Sequence, residues 1–344
     1  MKLHSVSLAC ASLIATTAAL AIDSAEPPKA EPRMQRVLDA LAALDGKPIE
    51  TLGVAEARRQ PTAADAVARL AKDEEIAVPK DGVTVKEVKV PGAQGAIPAF
   101  VYTPPGKGPF PVVVYFHGGG FVLADTKTYE ASIRALAAGA GAVVVSPDYR
   151  RAPEHRFPAA PEDAFATYRW VLEHAGELQG DAERVAVAGE SAGGNLAAVV
   201  ALMARDKDVP APVHQLLLYP VVNNDTNTPS YQRNANAKPL NKAMMQWFFQ
   251  HYGGAAQNPY ALPAKAQTLQ GLPSATVITA EIDPLASEGE AYAERLKKDG
   301  VKVDYRQFDG VTHEFFGMGA VVPKAVDARK FAVEGLKRAF AAAE

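Results

Sequence analysis

The sequence predicts an α/β chain, with a mostly parallel sheet covered on both faces by helices. Three observations predict it. After Pro111, continuous apolar runs of strand length alternate with helical stretches, the pattern of strands buried on both faces and joined by helical crossovers. Such crossovers are right-handed, so the loops that follow the strands gather along one edge of the sheet. One of those loops carries Gly189-Glu190-Ser191-Ala192-Gly193, a G-x-S-x-G pentapeptide between the buried run Val185–Ala188 and a helix rich in Ala, Leu and Met. Small residues at both ends suit a reversal so sharp that a larger side chain would collide with the strand or the helix.

The bulk of the chain fits that class. With 344 residues, 48 % hydrophobic and 22 % charged, it has the material for one large domain and its core. A net charge of −3 gives no footprint for nucleic acid or anionic lipid. The first residues differ. Lys2 precedes the uncharged run Val6–Ala21, which closes on Ala19-Leu20-Ala21, so residues 1–21 are expected to be a cleaved export signal and the mature chain periplasmic or secreted. The run is short for a membrane span, and no stable membrane association of the mature chain is expected. Cleavage would remove one lysine, taking the net charge to −4, and the single cysteine, Cys10. The mature chain would then have no disulfide and no thiol nucleophile.

The elements follow in order. Glu31–Ala71 reads as helical, with Met34, Val37, Leu38, Leu41 and Leu44 forming an amphipathic stripe that stops at Gly46 and a second stretch running from Pro61-Thr62 to Lys72. From Val83 the period becomes two, in VTVKEVKV and IPAFVYTP, which predicts an antiparallel pair. The expected buried strands are Val112–Phe116, Ala142–Ser146, Val185–Ala188, Gln215–Tyr219, Ala275–Thr279 and Val303–Phe308, which with the pair make eight. Helices are expected over Thr128–Ala140, Pro161–His174, Ala192–Arg205, Ser287–Lys298 and Pro323–Phe340. Residues 223–263 break the alternation, and Met244–Tyr252 within them is a helix apolar nearly all round. It is either a helix buried on the sheet or an inserted lid whose aromatic lining would exclude water from a site. Trp247, Phe248 and Tyr252, with Phe121, are the candidates to contact a substrate.

A serine hydroxyl is a weak nucleophile and needs a base, with an acid to orient that base. In sheets of this type the order along the chain is serine, acid, histidine, each after a strand. Of the histidines beyond Ser191, His251 lies within the aromatic helix, whereas His313 stands five residues after Val303–Phe308. Asp283, after Ala275–Thr279, is the candidate acid, with Glu281 and Asp309 as competitors; Pro284 restrains the chain behind it. His117-Gly118-Gly119-Gly120-Phe121 ends another strand, and its glycines let backbone N–H groups turn towards a ligand, together with the N–H of Ala192. His117 is expected to brace this turn.

These residues carry a resemblance. HGGGF at His117–Phe121, DYRRAPEHRFPAA at Asp148–Ala160, GESAGGN at Gly189–Asn195 and DPLASEGEAYAERL at Asp283–Leu296, leading to His313, are similar to the motifs of the hormone-sensitive-lipase-like carboxylesterases, in the bacterial branch of the α/β-hydrolase fold. The resemblance runs from about Met34 to the C-terminus. It implies Ser191 as nucleophile, Asp283 as acid, His313 as base, and oxyanion donors at the N–H groups of Gly119, Gly120 and Ala192. It implies a helical cap built from residues 22–80 and 223–263, over a core formed by 81–222 and 264–344. Glu190 stands where the family often has Asp, and is expected to help hold the loops at the site. Glu314 replaces the more usual Gly after the histidine and is expected to crowd the base. Asp148–Ala160 is expected to brace the site without taking part in chemistry.

The expected activity is hydrolysis of short- to medium-chain carboxylic esters through an acyl-enzyme. Amide, lactone or carbamate cleavage by the same groups is the alternative, and a non-catalytic ligand-binding or partner-binding protein the third reading. No metal or other cofactor is expected. The expected partner is a small-molecule ester, and a free sheet edge at the C-terminal end could support a homodimer.

Overall fold

The computed structural model describes residues 28–77, 80–254 and 257–343. The expected export signal lies outside them. Eight strands form one sheet: β1 (Thr84–Gly92), β2 (Gly95–Thr103), β3 (Phe110–Phe116), β4 (Val143–Pro147), β5 (Gly180–Glu190), β6 (His214–Leu218), β7 (Ser274–Ile282) and β8 (Val303–Thr312). Their order is β1-β2-β4-β3-β5-β6-β7-β8. β2 is antiparallel to both its neighbours, and every other pairing is parallel. The alternating pair is thus the solvent-facing edge of a sheet whose middle is buried.

Helices cover both faces. α5 (Ala159–His174), α6 (Ala192–Asp206) and α9 (Ala286–Lys298) pack on one face; α4 (Glu130–Ala140) and α10 (Pro323–Ala342) meet on the other. Each face has its own core, the first around Val112, Val114, Val187 and Leu196–Leu202, the second around Val113, Val144, Ile133 and Leu336. Successive residues of β3 and β4 serve opposite cores, which is why those runs are continuously apolar. Each fully buried aliphatic side chain stabilises the fold by about 1.5–3 kcal/mol. α6 is buried from Ala192 to Ala204, so the element behind Ser191 is anchored all round.

The N-terminal stretch holds the two expected helices, α1 (Pro32–Ala42) and α3 (Ala63–Asp73), with a short α2 (Val54–Ala57) between them. Pro48 and Pro61 interrupt it, and Thr62 and Asp65 form a reciprocal capping box that starts α3. The insertion after β6 contains α7 (Pro229–Arg233) and α8 (Lys242–Tyr252). α8 packs against the turn Ile49–Thr51 and adds Met245, Trp247, Phe248 and Tyr252 to the first core.

Several strands outrun their apolar signal. β8 continues through the polar Asp309-Gly310 to Thr312, past an irregularity opposite β7 where Gly310 takes φ 68°. His313 therefore follows the strand directly and does not sit five residues into a loop. As the last strand in the order, β8 can carry polar residues on its free side, and that hides its end in the sequence. Among the described residues, no helix is long and apolar enough to cross a membrane.

Candidate active site

Ser191 sits where β5 gives way to α6. A Cβ on Gly193 would overlap the carbonyl oxygen of Phe116, and one on Gly189 the carbonyl oxygen of Gly193. Ser191 itself is held at φ 58°, ψ −117°, a region costing an L-residue about 1–3 kcal/mol. Its N–H donates to Leu218 O at 2.9 Å, and its carbonyl accepts from Asn195 N and Val221 N. The strain is sustained because buried backbone on both sides leaves the turn no alternative.

The other two side chains come from adjacent strand ends. Asp283 follows β7 and His313 follows β8. His313 Nδ1 lies 2.6 Å from Asp283 Oδ2, and His313 Nε2 lies 2.9 Å from Ser191 Oγ. A carboxylate only accepts, so Nδ1 carries the proton and Nε2 is free to accept from the serine hydroxyl. All three residues are buried. Burial alone would push the His313 imidazole down, but the charge and hydrogen bond of Asp283, followed by the charges of Glu314 and Glu190, outweigh it and raise its pKa above the ordinary value. The competitors are occupied elsewhere: Glu281 accepts from Gly310 N at 2.7 Å, Gln307 donates to Asp309, and His251 packs edge-on against Trp247.

Gly119 and Gly120 take φ values of 96° and 60°. Among the described residues, no acceptor pairs with the N–H of either, and the N–H of Ala192, the first residue of α6, has no intrahelical partner. His117 braces this loop: its Nδ1 approaches Gly118 O at 2.7 Å, its ring stacks on Tyr149, and Tyr149 donates to His117 O. Arg58 ties α2 to the same region, donating to Val122 O and Ala152 O.

Glu190 is wholly buried and accepts from Tyr115 at 2.5 Å and from Tyr219. Burial pushes its carboxyl up. Glu314, at φ 66°, turns away from the base and accepts from Tyr129 at 2.8 Å.

A cavity of about 310 Å³ lies under the insertion, lined by Phe121, Phe249, Tyr252 and Leu262 with the polar Asn224, Thr226 and Gln246. Phe121 and Tyr252 stack at 3.9 Å. Trp247 and Phe248 are not among its lining residues. Trp247 Nε1 donates to Leu52 O, and Phe248 packs so tightly on Gly120 that no Cβ would fit there. The lining stripe of α8 is Gln246, Phe249 and Tyr252, three residues apart on one side of the helix. Aromatic content alone does not say which way a helix faces. Other residues serve the site without having been singled out. Asn195 donates to Val221 O and Ala261 O, and Ser230, Asn234 and Glu288 hold the segment around Asp283. Asn195 and Glu288 lie inside quoted motifs, but nothing in a single sequence marks Ser230 or Asn234.

A serine, an imidazole and a carboxylate in line on strand-end loops of such a sheet define an α/β hydrolase. Comparison with known proteins agrees. A family model described as alpha/beta hydrolase fold matches residues 113–317. Esterase LipI of Mycobacterium tuberculosis is 43 % identical over 251 residues, 71 % of this chain and 78 % of its own. Ethyl acetate hydrolase of Pseudomonas putida is 33 % identical over 298 residues, 85 % of this chain and 92 % of its own. The crystal structure of a thermostable Pseudomonas putida esterase, 39 % identical, superposes with a TM-score of 0.81 over 91 % of this chain and 98 % of its own. The chain belongs to the hormone-sensitive-lipase-like family of carboxylic ester hydrolases, within the α/β-hydrolase fold.

Proposed function

We propose that the chain hydrolyses short- to medium-chain carboxylic esters by way of an acyl-enzyme on Ser191. The observation that carries this reading is the line Ser191 Oγ, His313, Asp283, with links of 2.9 and 2.6 Å. His313 Nε2 takes the hydroxyl proton as Oγ attacks the ester carbonyl. The oxyanion is met by the N–H groups of Gly119, Gly120 and Ala192, each such donor worth about 3–4 kcal/mol in the transition state. Collapse breaks the carbon–oxygen bond to the alcohol, which leaves with the proton from His313. Water, deprotonated by the same nitrogen, then attacks the acyl carbon and releases the acid. Asp283 holds the tautomer and stabilises the imidazolium throughout.

The size range is supported by the cavity, whose wall includes Phe121, next to Gly120, but not Ser191 or His313. At about 310 Å³ it lies at the small end of the roughly 300–1,000 Å³ typical of ligand pockets, and the likeness to an ethyl acetate hydrolase supports a small ester. Export from the cytoplasm is part of the proposal, supported by the uncharged run Val6–Ala21 and checked by the N-terminal sequence of the purified mature protein.

The test is p-nitrophenyl acetate and butyrate hydrolysis by the native chain and by Ser191→Ala. The variant is expected to lose about 10⁴-fold or more in kcat; equal rates would return the chain to the binding-protein reading. In a chain-length series, activity is expected to peak at or below about eight acyl carbons, and a peak on long-chain triglyceride emulsions would overturn that range.

A further inference from the structure

We propose that Asn234 and Ser230, carried on the lid insertion, are positioning residues for Asp283, so that the seating of the lid sets the geometry of acid and base. The inference rests on the reaction proposed above. The insertion leaves the sheet after β6, and α7 crosses to the segment that follows β7. There the buried Asn234 donates through Nδ2 to Glu281 O at 2.9 Å and Asp283 O at 3.0 Å. Ser230 Oγ donates to Pro284 O and accepts from Ser287 N at 3.0 Å, while Ser287 Oγ accepts from Ser230 N at 3.0 Å. On the far side, Glu288 Oε1 accepts from Val222 N at 2.8 Å and Asn223 N at 3.2 Å. Residues 281–288 and 222–234 are therefore sewn together by side chains, with no strand ladder between them.

The position of these bonds matters more than their number. Asn234 grips the main chain of the acid itself and of Glu281, which lies where the β7–β8 register slips between Ala280 and Ile282. Leu285 N, two residues on, fixes the second carboxylate oxygen of Asp283. A productive triad tolerates displacements of about 0.5 Å, and this grip sits one residue's length from the carboxylate. The same stretch supplies Asn224 and Thr226 to the cavity wall, and its neighbour Val221 adds a third residue. A substrate filling the cavity thus presses on the segment that holds the acid. The charged and titratable groups around His313 are Asp283 after β7, Glu190 at the end of β5, Tyr219 after β6 and its own neighbour Glu314, and Asn234 touches none but Asp283.

The experiment uses the full chain with Asn234→Ala and Ser230→Ala, and Gln232→Ala, on the exposed side of α7, as the lid control. On p-nitrophenyl acetate, Asn234→Ala is expected to lower kcat about 10-fold or more with KM changed less than threefold, since acetate barely reaches the lid. The acid limb of its kcat/KM profile should move to lower pH, because a loosened Asp283 supports the imidazolium less. Ser230→Ala should shift both readings in the same sense by less, and serves if Asn234→Ala does not fold; Gln232→Ala should match the wild type. Lower thermal stability with kcat and acid limb unchanged in both variants would overturn the inference and leave the pair a purely structural role. A wild-type chain that neither cleaves the ester nor reacts with a fluorophosphonate at Ser191 would instead sink the reaction itself.

Discussion

The turn at Ser191 and the insertion between β6 and β7 are held by different means. The turn is fixed by main chain against main chain: glycines that admit carbonyl oxygens, and Ser191 N bound to Leu218 O. The insertion is held by side chains reaching over long stretches of sequence, from Trp247 to Leu52, Asn195 to Ala261 and Asn234 to Asp283. Removing a side chain from the first leaves its backbone clamp in place, whereas in the second it removes the clamp. The nucleophile's turn is therefore built into a few consecutive residues, while the seat of Asp283 and the shape of the pocket are tertiary properties.

The largest effect expected from breaking this contrast is at Gly193. Alanine there drives a methyl group into Phe116 O and against His117 O, backbone that cannot move without shifting β3 and the glycine loop together. Gly193→Ala is expected to destabilise the chain by about 3 kcal/mol or more and to abolish fluorophosphonate labelling of Ser191. Urea denaturation with labelling of the residual folded protein measures both. A folded, labelled variant would show that the turn is less constrained than its contacts require.

That asymmetry also decides what the sequence reveals. Ser191, Asp283 and His313 can be read from it because each follows a strand in a fixed chain order, and the glycines announce the turn by their own identity. The end of β8 cannot, because Asp309-Gly310 looks like a turn while the backbone ladder continues to Thr312. Phe249 and Gln246 take the cavity positions that aromatic content suggested for Trp247 and Phe248, since the azimuth of α8 is set by what it packs on. Ser230 and Asn234 are single polar residues in a loop-rich segment, with no period to give them away. Their roles exist only once β7 lies beside the insertion.

A middling effect is expected in the insertion. Tyr252 lines the cavity and stacks on Phe121, a pair worth about 0.5–1.5 kcal/mol beyond its buried area. Tyr252→Ala should move the acyl-chain optimum to longer esters while kcat on acetate stays within about tenfold of the wild type, since the triad is untouched. A chain-length series on purified variant decides it; an unchanged optimum would show that Tyr252 does not bound the acyl chain.

The smallest effect, and the one that separates the two regions by protons, concerns Glu288. Its carboxyl is buried and receives two backbone N–H groups from the start of the insertion. Among the described residues, its second oxygen and the nearby Tyr231 hydroxyl are buried without a partner. Burial pushes its pKa up to about 8, against the lowering effect of the two N–H groups and with the help of Asp283 and Asp225. The unfolded chain releases this proton near the ordinary glutamate value, and the folded chain keeps it until about pH 8. Between those values the native state binds more protons than the unfolded one, so rising pH erodes stability across that window and has no further effect through this group on either side of it. Glu288→Gln keeps an acceptor for Val222 N and Asn223 N but has no proton to lose. Its melting temperature should therefore fall less than that of the wild type between pH 5 and pH 9, with the difference greatest at the alkaline end. Parallel melting curves for the two chains would mean that the clamp on the insertion responds to protons no more than the backbone turn at Ser191 does.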